Sequence, residues 1–572
     1  MRNLIFLFGR SVIFHVILLV ALCGALYFPF LGTTPFFDKG EPREALAVQD
    51  ILQRGAWLVP LKRATDIPSN PPLFHWSAAL VTQATGRLDE ATIRFPSALY
   101  ATLGVLLIYW LGRKILNGKT ALLGAAILAT LLIYQDQAIS ARVDMTLCFY
   151  VTLDLALFYA LYPGHLRNSI GFYVFFAVAG IGTLAKGPLA ILLPAMVAGS
   201  FVVLERRWDV LRKFCFHPGI LITLALASGW YIVAVMRGGT GFFNRQILEE
   251  NLRRFVGGSG HSHPFYYYVP YLFSTTLPWA MFLPLLLWDN FKSGIQAGDD
   301  RNFLKLWVLV MFVFFSISMG KRSVYLLPLC PALALLFAGW FHDSRMTGVE
   351  RGRLTIYRTL AIFSAIVGAV LVIIAVGTLS SHDHGWFFAA IEKLLKPKDL
   401  ANLVAVRGRI GSFGNVFMGI ALALALLWFS LGRLLWFGRM RSVALHLICL
   451  SILCGIISSL MITPVIAQEK SYRSFMLEVN RRVMPEDKLY LYGNFNNDSI
   501  AFYRGIPIEK LDAPSAAIAE TVNNGRSYLI LTQQSLKQNQ SSSLRLSPPL
   551  IESEGKGPEG NAPLVLVAVD FP

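Results

Sequence analysis

The run Phe36-Phe37-Asp38-Lys39-Gly40-Glu41-Pro42-Arg43-Glu44 sets three carboxylates and two cations within seven residues. Acids this close can deprotonate or orient a hydroxyl, and the cations can hold an anion. The plainer reading is a helix N-terminus with Pro42 as its first residue and acids that suit the dipole. A further acid, Asp144 in Ala141-Arg142-Val143-Asp144-Met145-Thr146, opens a long apolar run. A carboxylate near membrane depth costs roughly 2.5–3.5 kcal/mol unless paired or watered, which makes Asp144 a functional candidate. The alternative is a helix cap partnered by Arg142. Cations form the third group: Lys186 before Gly187-Pro188, Lys321 and Arg322, and Arg253 and Arg254. Either internal carboxylates balance them, or they hold a phosphate-bearing substrate between helices. His261 and His263 stand beside Tyr266, Tyr267 and Tyr268. Two histidines at that spacing are a weak metal signature, with no neighbouring Cys or carboxylate to complete a set, and the aromatics equally suit an interfacial belt.

The elements that must position these groups belong in lipid. Of the 572 residues, 55% are apolar and 15% charged, and the mean hydropathy is +0.55, a surface no soluble domain of this size tolerates. Apolar runs of near-membrane length recur about thirteen times, from Ser11–Leu31 to Val443–Ile466. The first reads as an uncleaved anchor. Short loops carrying Arg113, Lys114 and Lys119, then Arg206, Arg207, Arg212 and Lys213, then Arg351, Arg353 and Arg358 share the N-terminal side, which the positive-inside rule makes cytoplasmic. Thirteen crossings then place the C-terminus outside. The chemically equipped residues gather on that outer side, and the span midplanes read as plain apolar.

Two outer regions have structure of their own. The loop 32–95 carries helical periodicity over Glu41–Arg54 and Leu73–Thr85, suited to helices lying in the interface. The segment 468–572 alternates a helix (Tyr472–Val483) with strand-like runs Lys488–Tyr492, Ser527–Thr532 and Leu564–Val569, a small α/β domain. It has no phosphate loop, metal spacing or nucleophile elbow and reads as a support. Its Gln/Ser run Gln533–Ser543 reads as a flexible loop. The chain thus divides into a helical polytopic membrane domain, 1–467, and a soluble domain, 468–572. The six cysteines show no disulfide framework. The net charge of +17 is largely topological, and no pattern points to nucleic acid.

In order along the chain, Glu41-Pro42-Arg43-Glu44-Ala45, Pro71-Pro72-Leu73-Phe74-His75-Trp76, Arg94-Phe95-Pro96-Ser97, Ala141-Arg142-Val143-Asp144-Met145, Lys186-Gly187-Pro188, Asn251-Leu252-Arg253-Arg254-Phe255 with His263-Pro264, Pro278-Trp279 and Lys321 with Tyr325-Leu326-Leu327-Pro328 resemble the polyprenyl-phosphate-sugar glycosyltransferases of the GT-C superfamily. Within it they are most similar to the bacterial lipid A aminoarabinose transferases and the protein O-mannosyltransferase-like family. The resemblance implies a GT-C membrane fold of about thirteen helices with a small outer α/β domain. It implies an inverting transfer of a sugar from polyprenyl (undecaprenyl) phosphate to lipid A or another envelope glycolipid at the periplasmic face of the bacterial inner membrane. By the same resemblance Glu41, Asp144 and Asp38 are the candidate catalytic acids. Lys186, Lys321, Arg322, Tyr325, Arg253 and Arg254 are candidates for the donor phosphate, and His263 for a divalent metal. Two departures stand out: Gly40-Glu41 where relatives show Asp-Glu, and Ser69-Asn70 where relatives often show Glu-Lys. The first leaves open whether Glu41 or Asp38 is the working acid, and the second removes a charge pair that could bind the donor phosphate or, through its Glu, a metal shared with the loop histidine. The alternatives are a protein acceptor, a lipid or solute transporter with midplane charges and broken helices in paired positions, and a scaffold that has lost its chemistry.

Overall fold

The computed structural model describes residues 10–570 apart from 63–65, 163–168, 247–262, 347–350, 380–391, 394–413, 494, 496, 512–526, 540–544, 556 and 558–562. Among these residues eight helices are long and apolar enough to cross a membrane, and two bent pairs raise the number to ten. The shorter apolar helices Ile170–Lys186 and Leu189–Leu204 and the helix Arg301–Ile317 fall on the three remaining expected spans. All thirteen apolar runs are therefore helical, and three of them, of 18, 16 and 17 residues, lie at the short end of what a crossing needs.

The elements around the site are α1 (Arg10–Leu26), α2 (Glu41–Arg54), α3 (Leu73–Thr85), α4 (Glu90–Ile115), α5 (Gly118–Thr130), α6 (Leu132–Ala138), α7 (Val143–Leu161) and α8 (Ser169–Lys186). Helices α2 and α3 start and stop where the sequence places them. Pro42 opens α2, where its missing N–H is an orphan anyway, and Pro72 precedes α3. Gly55 and Gly86 end the two helices at φ of +67° and +68°, a left-handed conformation that costs a residue with a Cβ about 1–2 kcal/mol. The two helices pack through Val48, Ile51, Ala78 and Ala79. Helix α4 begins at a capping box, in which Asp89 accepts from Thr92 N at 3.0 Å and Thr92 Oγ1 accepts from Asp89 N at 3.1 Å.

Two spans are broken. Helices α5 and α6 meet at 65°, and the segments Phe265–Thr275 and Trp279–Asn290 at 116°. At the first break Leu131 is extended, and the released polar groups find partners: Ala129 O accepts from Tyr27 Oη at 2.9 Å, and Thr130 Oγ1 donates to Ala126 O at 2.8 Å. Non-helical backbone at membrane depth is tolerated where it is buried in protein or lines a cavity, and Thr130, Leu132, Leu277 and Pro278 all line one cavity. The expectation of plain apolar midplanes fails at one place. Asp154, 2% exposed in the middle of α7, has an Oδ1 with no hydrogen-bond partner among the described residues. It lies against an otherwise largely apolar cavity of about 320 Å³.

The C-terminal segment forms a six-stranded sheet: β1 (Lys488–Tyr492), β2 (Glu509–Leu511), β3 (Ser527–Thr532), β4 (Arg545–Leu546), β5 (Ile551–Glu552) and β6 (Leu564–Asp570). The order is β2-β1-β3-β6-β4, with β5 also paired to β6. Strands β1, β2 and β3 run parallel and β6 antiparallel to β3. The three expected strands and the helix Arg473–Arg482 are present. Residues Gln533–Asn539, expected as loop, are helical. Thr532 Oγ1 caps them by accepting from Ser535 N at 3.0 Å, which composition alone does not show.

Candidate active site

The first loop is held from beneath by one buried fork. Arg94, 2% exposed in the second turn of α4, donates from Nε to Glu41 Oε1 and from Nη2 to Glu41 Oε2, each at 2.7 Å. Its Nη1 donates to the carbonyls of Leu31 and Thr34, each at 2.8 Å. Glu41 Oε1 also accepts from Ala141 N at 2.8 Å. Bidentate pairs of this kind fix geometry as well as energy, and here the pair ties the loop before α2 to α4 and to the turn before α7. Both Glu41 oxygens are thus committed.

Asp38 is placed differently. Its Oδ1 accepts from Gly40 N and Glu41 N, each at 2.8 Å, and its Oδ2 accepts from Arg142 Nη2. About a third of the side chain remains exposed (35%), on the wall of a cavity of about 530 Å³ shared with Arg142, Asp136 and Trp428. Burial pushes the carboxyl up, but the Arg142 guanidinium and the two N–H groups outweigh it and hold Asp38 below its ordinary range. Gly40 is what lets Arg142 reach this position, because a Cβ there would stand 2.3 Å from Arg142 Cζ. The glycine that stands in for an aspartate in the resembling family therefore makes room for a guanidinium.

One turn along α2, Glu44 is 3% exposed and faces α3. His75 Nε2 donates to Glu44 Oε2 at 2.8 Å, Arg43 Nη2 to Oε1 at 2.8 Å, and Asn70 Nδ2 to Oε1 at 3.4 Å. Burial alone would raise this carboxyl, yet Arg43 and His75 hold it far below the usual range. The substituted Ser69-Asn70 pair thus contributes an amide to a carboxylate site.

Asp144 and Lys186, 42 residues apart, form an ion pair where α7 begins and α8 ends, with 12% and 15% of their side chains exposed. Lys186 Nζ also lies 5.0 Å from the centre of the Tyr325 ring. Three of the expected residues meet here. Lys321 is buried and donates to Ser318 O; Arg322 N donates to Tyr268 Oη at 3.3 Å, and the Arg322 charge bears on Asp144. Arg253 and Arg254 lie outside the described residues. His263 stacks on Tyr267 at 4.4 Å. No group of three His, Cys, Asp or Glu among the described residues could hold a metal ion, and His261, the other histidine of the motif, lies outside them.

Several groups escaped the sequence reading. Arg94 was visible only as part of a motif, and Arg142, read as a partner for Asp144, pairs instead with Asp38. Asp136 stands two residues beyond the apolar run ending at Tyr134, and an acid in that position was a usable signal. Tyr503, from the C-terminal segment, had none. Its hydroxyl accepts from Phe36 N at 2.9 Å and donates to Glu90 Oε1 at 2.8 Å, while Phe502 packs on Phe36 with ring centres 5.2 Å apart.

A crystal structure of ArnT from Cupriavidus metallidurans bound to undecaprenyl phosphate superposes with a TM-score of 0.74 over 97% of each chain, at 20% identity. The fold is that of ArnT. A family model described as dolichyl-phosphate-mannose-protein mannosyltransferase matches residues 69–232. The undecaprenyl phosphate-alpha-4-amino-4-deoxy-L-arabinose arabinosyl transferase of Edwardsiella ictaluri is 28% identical over 381 residues, 66% of each chain. Its counterpart in Pseudomonas aeruginosa is 32% identical over 323 residues, 56% of this chain and 58% of that one. The alignments thus span less than two thirds of these ArnT relatives. The resemblance read from the short motifs holds, and the ArnT-like fold extends to the C-terminal sheet.

Proposed function

We propose that the chain is a glycosyltransferase that moves a sugar from a polyprenyl phosphate, undecaprenyl phosphate in a bacterial membrane, to an acceptor at the periplasmic face of the inner membrane. Lipid A is the acceptor this reading favours, and a glycolipid or protein is the alternative. The observation that carries the reading is the meeting of Asp144, Lys186 and Tyr325 at the end of the spans. Arg142, two residues before Asp144, opens there onto the cavity that Asp38 lines. Its support from relatives is the ArnT fold found bound to undecaprenyl phosphate.

In the reaction the acceptor oxygen attacks the anomeric carbon, the bond from that carbon to the phosphate oxygen breaks, and polyprenyl phosphate departs with the electron pair. Lys186 is the group placed to take up the charge that develops on the phosphate. As the phosphate engages Lys186, Asp144 is released from its ion pair. A hydroxyl acceptor gives its proton to a carboxylate, for which Asp144 and the cavity-facing Asp38 are placed. A phosphate acceptor needs no base, and the same carboxylates then orient it. Glu41, engaged twice by Arg94, serves by fixing the loop that carries Asp38. Residues 1–467 supply the membrane machinery and 468–572 a periplasmic support. A transporter would place its breaks and charges along a path through the bilayer, whereas both breaks here line one cavity beside the first loop.

The test is reconstitution of the purified chain in vesicles containing an envelope lipid and protein extract, with radiolabelled polyprenyl phosphate sugars. Label recovered in lipid A supports the favoured acceptor, and label in protein or another glycolipid reassigns it. Absence of label from folded protein with every donor overturns the proposal.

A further inference from the structure

A second cavity, of about 440 Å³, lies toward the opposite end of the helices from the first loop. Its walls come from α1, from α5 and from the helices Cys330–Met346 and Met440–Ile457. Helices α5 and Met440–Ile457 begin at its mouth and Cys330–Met346 ends there, so chain direction collects Lys119, Arg441 and His342 at one rim. Two to three turns deeper α5 and Met440–Ile457 present Ala126 and Ile452, with Leu22 of α1 on the same lining. At 1.5 Å per residue the wall therefore continues for about 10–16 Å beyond the cations, and Thr120, next to Lys119, is its one other polar side chain.

No carboxylate is among the lining residues, and Lys119, Arg441 and His342 make no ion pair among the described residues. Asp343, next to His342 in the chain, turns to another face of its helix, where Arg301 takes it. Lys119 and Arg441 are exposed and His342 is half-buried. The rim is thus cationic, and the positive end of Met440–Ile457, a helix start without a side-chain cap, adds to it. These residues stand on the side that the positive-inside rule makes cytoplasmic, where anionic headgroups draw basic side chains. Arg and Lys hold a phosphate through charge-assisted hydrogen bonds. A soluble anion would use the rim and leave the apolar wall uncovered, whereas a phospholipid uses both, its phosphate at the rim and an acyl chain along the wall.

We propose that this cavity binds one anionic glycerophospholipid of the cytoplasmic leaflet, its phosphate held by Lys119 and Arg441 and one acyl chain seated between α1, α5 and Met440–Ile457. Two of these helices also reach the cavity beneath the first loop, α5 through Thr130 and Met440–Ile457 through Ser451 and Gly455. The lipid thereby braces, from the far leaflet, two helices that wall the candidate active site. Its binding requires no turnover and is independent of the transferase reading.

The experiment is native mass spectrometry of the full-length protein in detergent, titrated with dioleoyl phosphatidylglycerol, dioleoyl phosphatidylcholine or inorganic phosphate. Wild type is expected to bind one phosphatidylglycerol about tenfold or more tightly than phosphatidylcholine. Lys119→Gln/Arg441→Gln should erase that preference. Lys292→Gln/Arg433→Gln, which removes two exposed cations outside the cavity lining, should keep it. Leu445→Trp enlarges an exposed side chain on the lining and leaves both cations, and it should weaken phosphatidylglycerol about tenfold. All these changes fall on exposed side chains, and melting in detergent checks that each variant is folded. Equal binding of the two lipids by wild type, a Lys119→Gln/Arg441→Gln protein that keeps the wild-type preference, or a control pair that loses it as fully overturns the proposal. A Leu445→Trp protein that binds phosphatidylglycerol as wild type does also overturns it, and displacement of the lipid by inorganic phosphate then assigns the rim to free phosphate.

Discussion

Gly40 and Glu41 show how differently two adjacent residues can serve a site. Gly40→Ala drives a methyl group into the Arg142 guanidinium, a flexible end that moves aside and releases Asp38. Transfer should fall about 10–100-fold, the usual cost of a small misplacement, with little change in melting temperature. Equal loss of both would mean that the residue acts on folding. Glu41→Ala leaves Arg94 buried without its carboxylate and should destabilise the protein by about 3–5 kcal/mol, read by thermal melting in detergent. Wild-type melting with no transfer would instead make Glu41 a direct participant. Asp38 and Glu44 both sit below their ordinary carboxylate range in the fold, so their contribution is complete above the unfolded values near pH 4 and is lost as pH falls through the lower folded values. Melting should be flat in these groups from about pH 5 to 8, and a drop between pH 7 and 5 contradicts the assignment. The sequence marked Asp38 and Glu41 because carboxylates and cations crowd one short run, Asp144 because charge beside lipid is costly, and Lys186 as a cation that could hold a phosphate. It could not say which acid faces the cavity, since that depends on Arg94 and Arg142 arriving from 53 and 104 residues away.

Among the elements, α2 and α3 were legible to the residue because proline and glycine punctuate them. The breaks at Leu131 and near Leu277 were not, because periodicity reports apolar length and is blind to a bend whose freed carbonyls are satisfied by distant groups such as Tyr27. The docking of the C-terminal sheet was equally hidden. Its helix Asp498–Arg504 meets the first loop through Tyr503, and Gly505 O accepts from Gln49 and Gln53, each at 2.8 Å. Tyr503→Phe removes a donor to Glu90 and an acceptor for Phe36 N, a cost of about 1–3 kcal/mol where the groups left are buried. Amide exchange across residues 33–41 should then speed up by about tenfold or more. Unchanged exchange would mean that the loop is held by the Glu41–Arg94 fork alone.

For the whole molecule, composition and the thirteen apolar runs were enough to place the chain in a membrane, and the order of weak motifs was enough to find its relatives. The overall charge was uninformative because the Arg and Lys residues of the loops record topology. Asp154 marks the limit of reading a span by its mean: the two acids among the 19 residues of α7 leave it apolar enough to cross a membrane, and yet Asp154 lies buried within the helix. The central claim is that these helices bring Asp144 and Lys186 to a polyprenyl phosphate sugar. The direct test is the rate of sugar transfer from a synthetic donor by purified wild type and by Asp144→Asn protein of matched melting temperature. The account predicts transfer by wild type and a loss of about 10²-fold or more in the variant, the scale of a positioned acid or base. Transfer by neither protein, or a variant that keeps more than about a tenth of the wild-type rate, would contradict it.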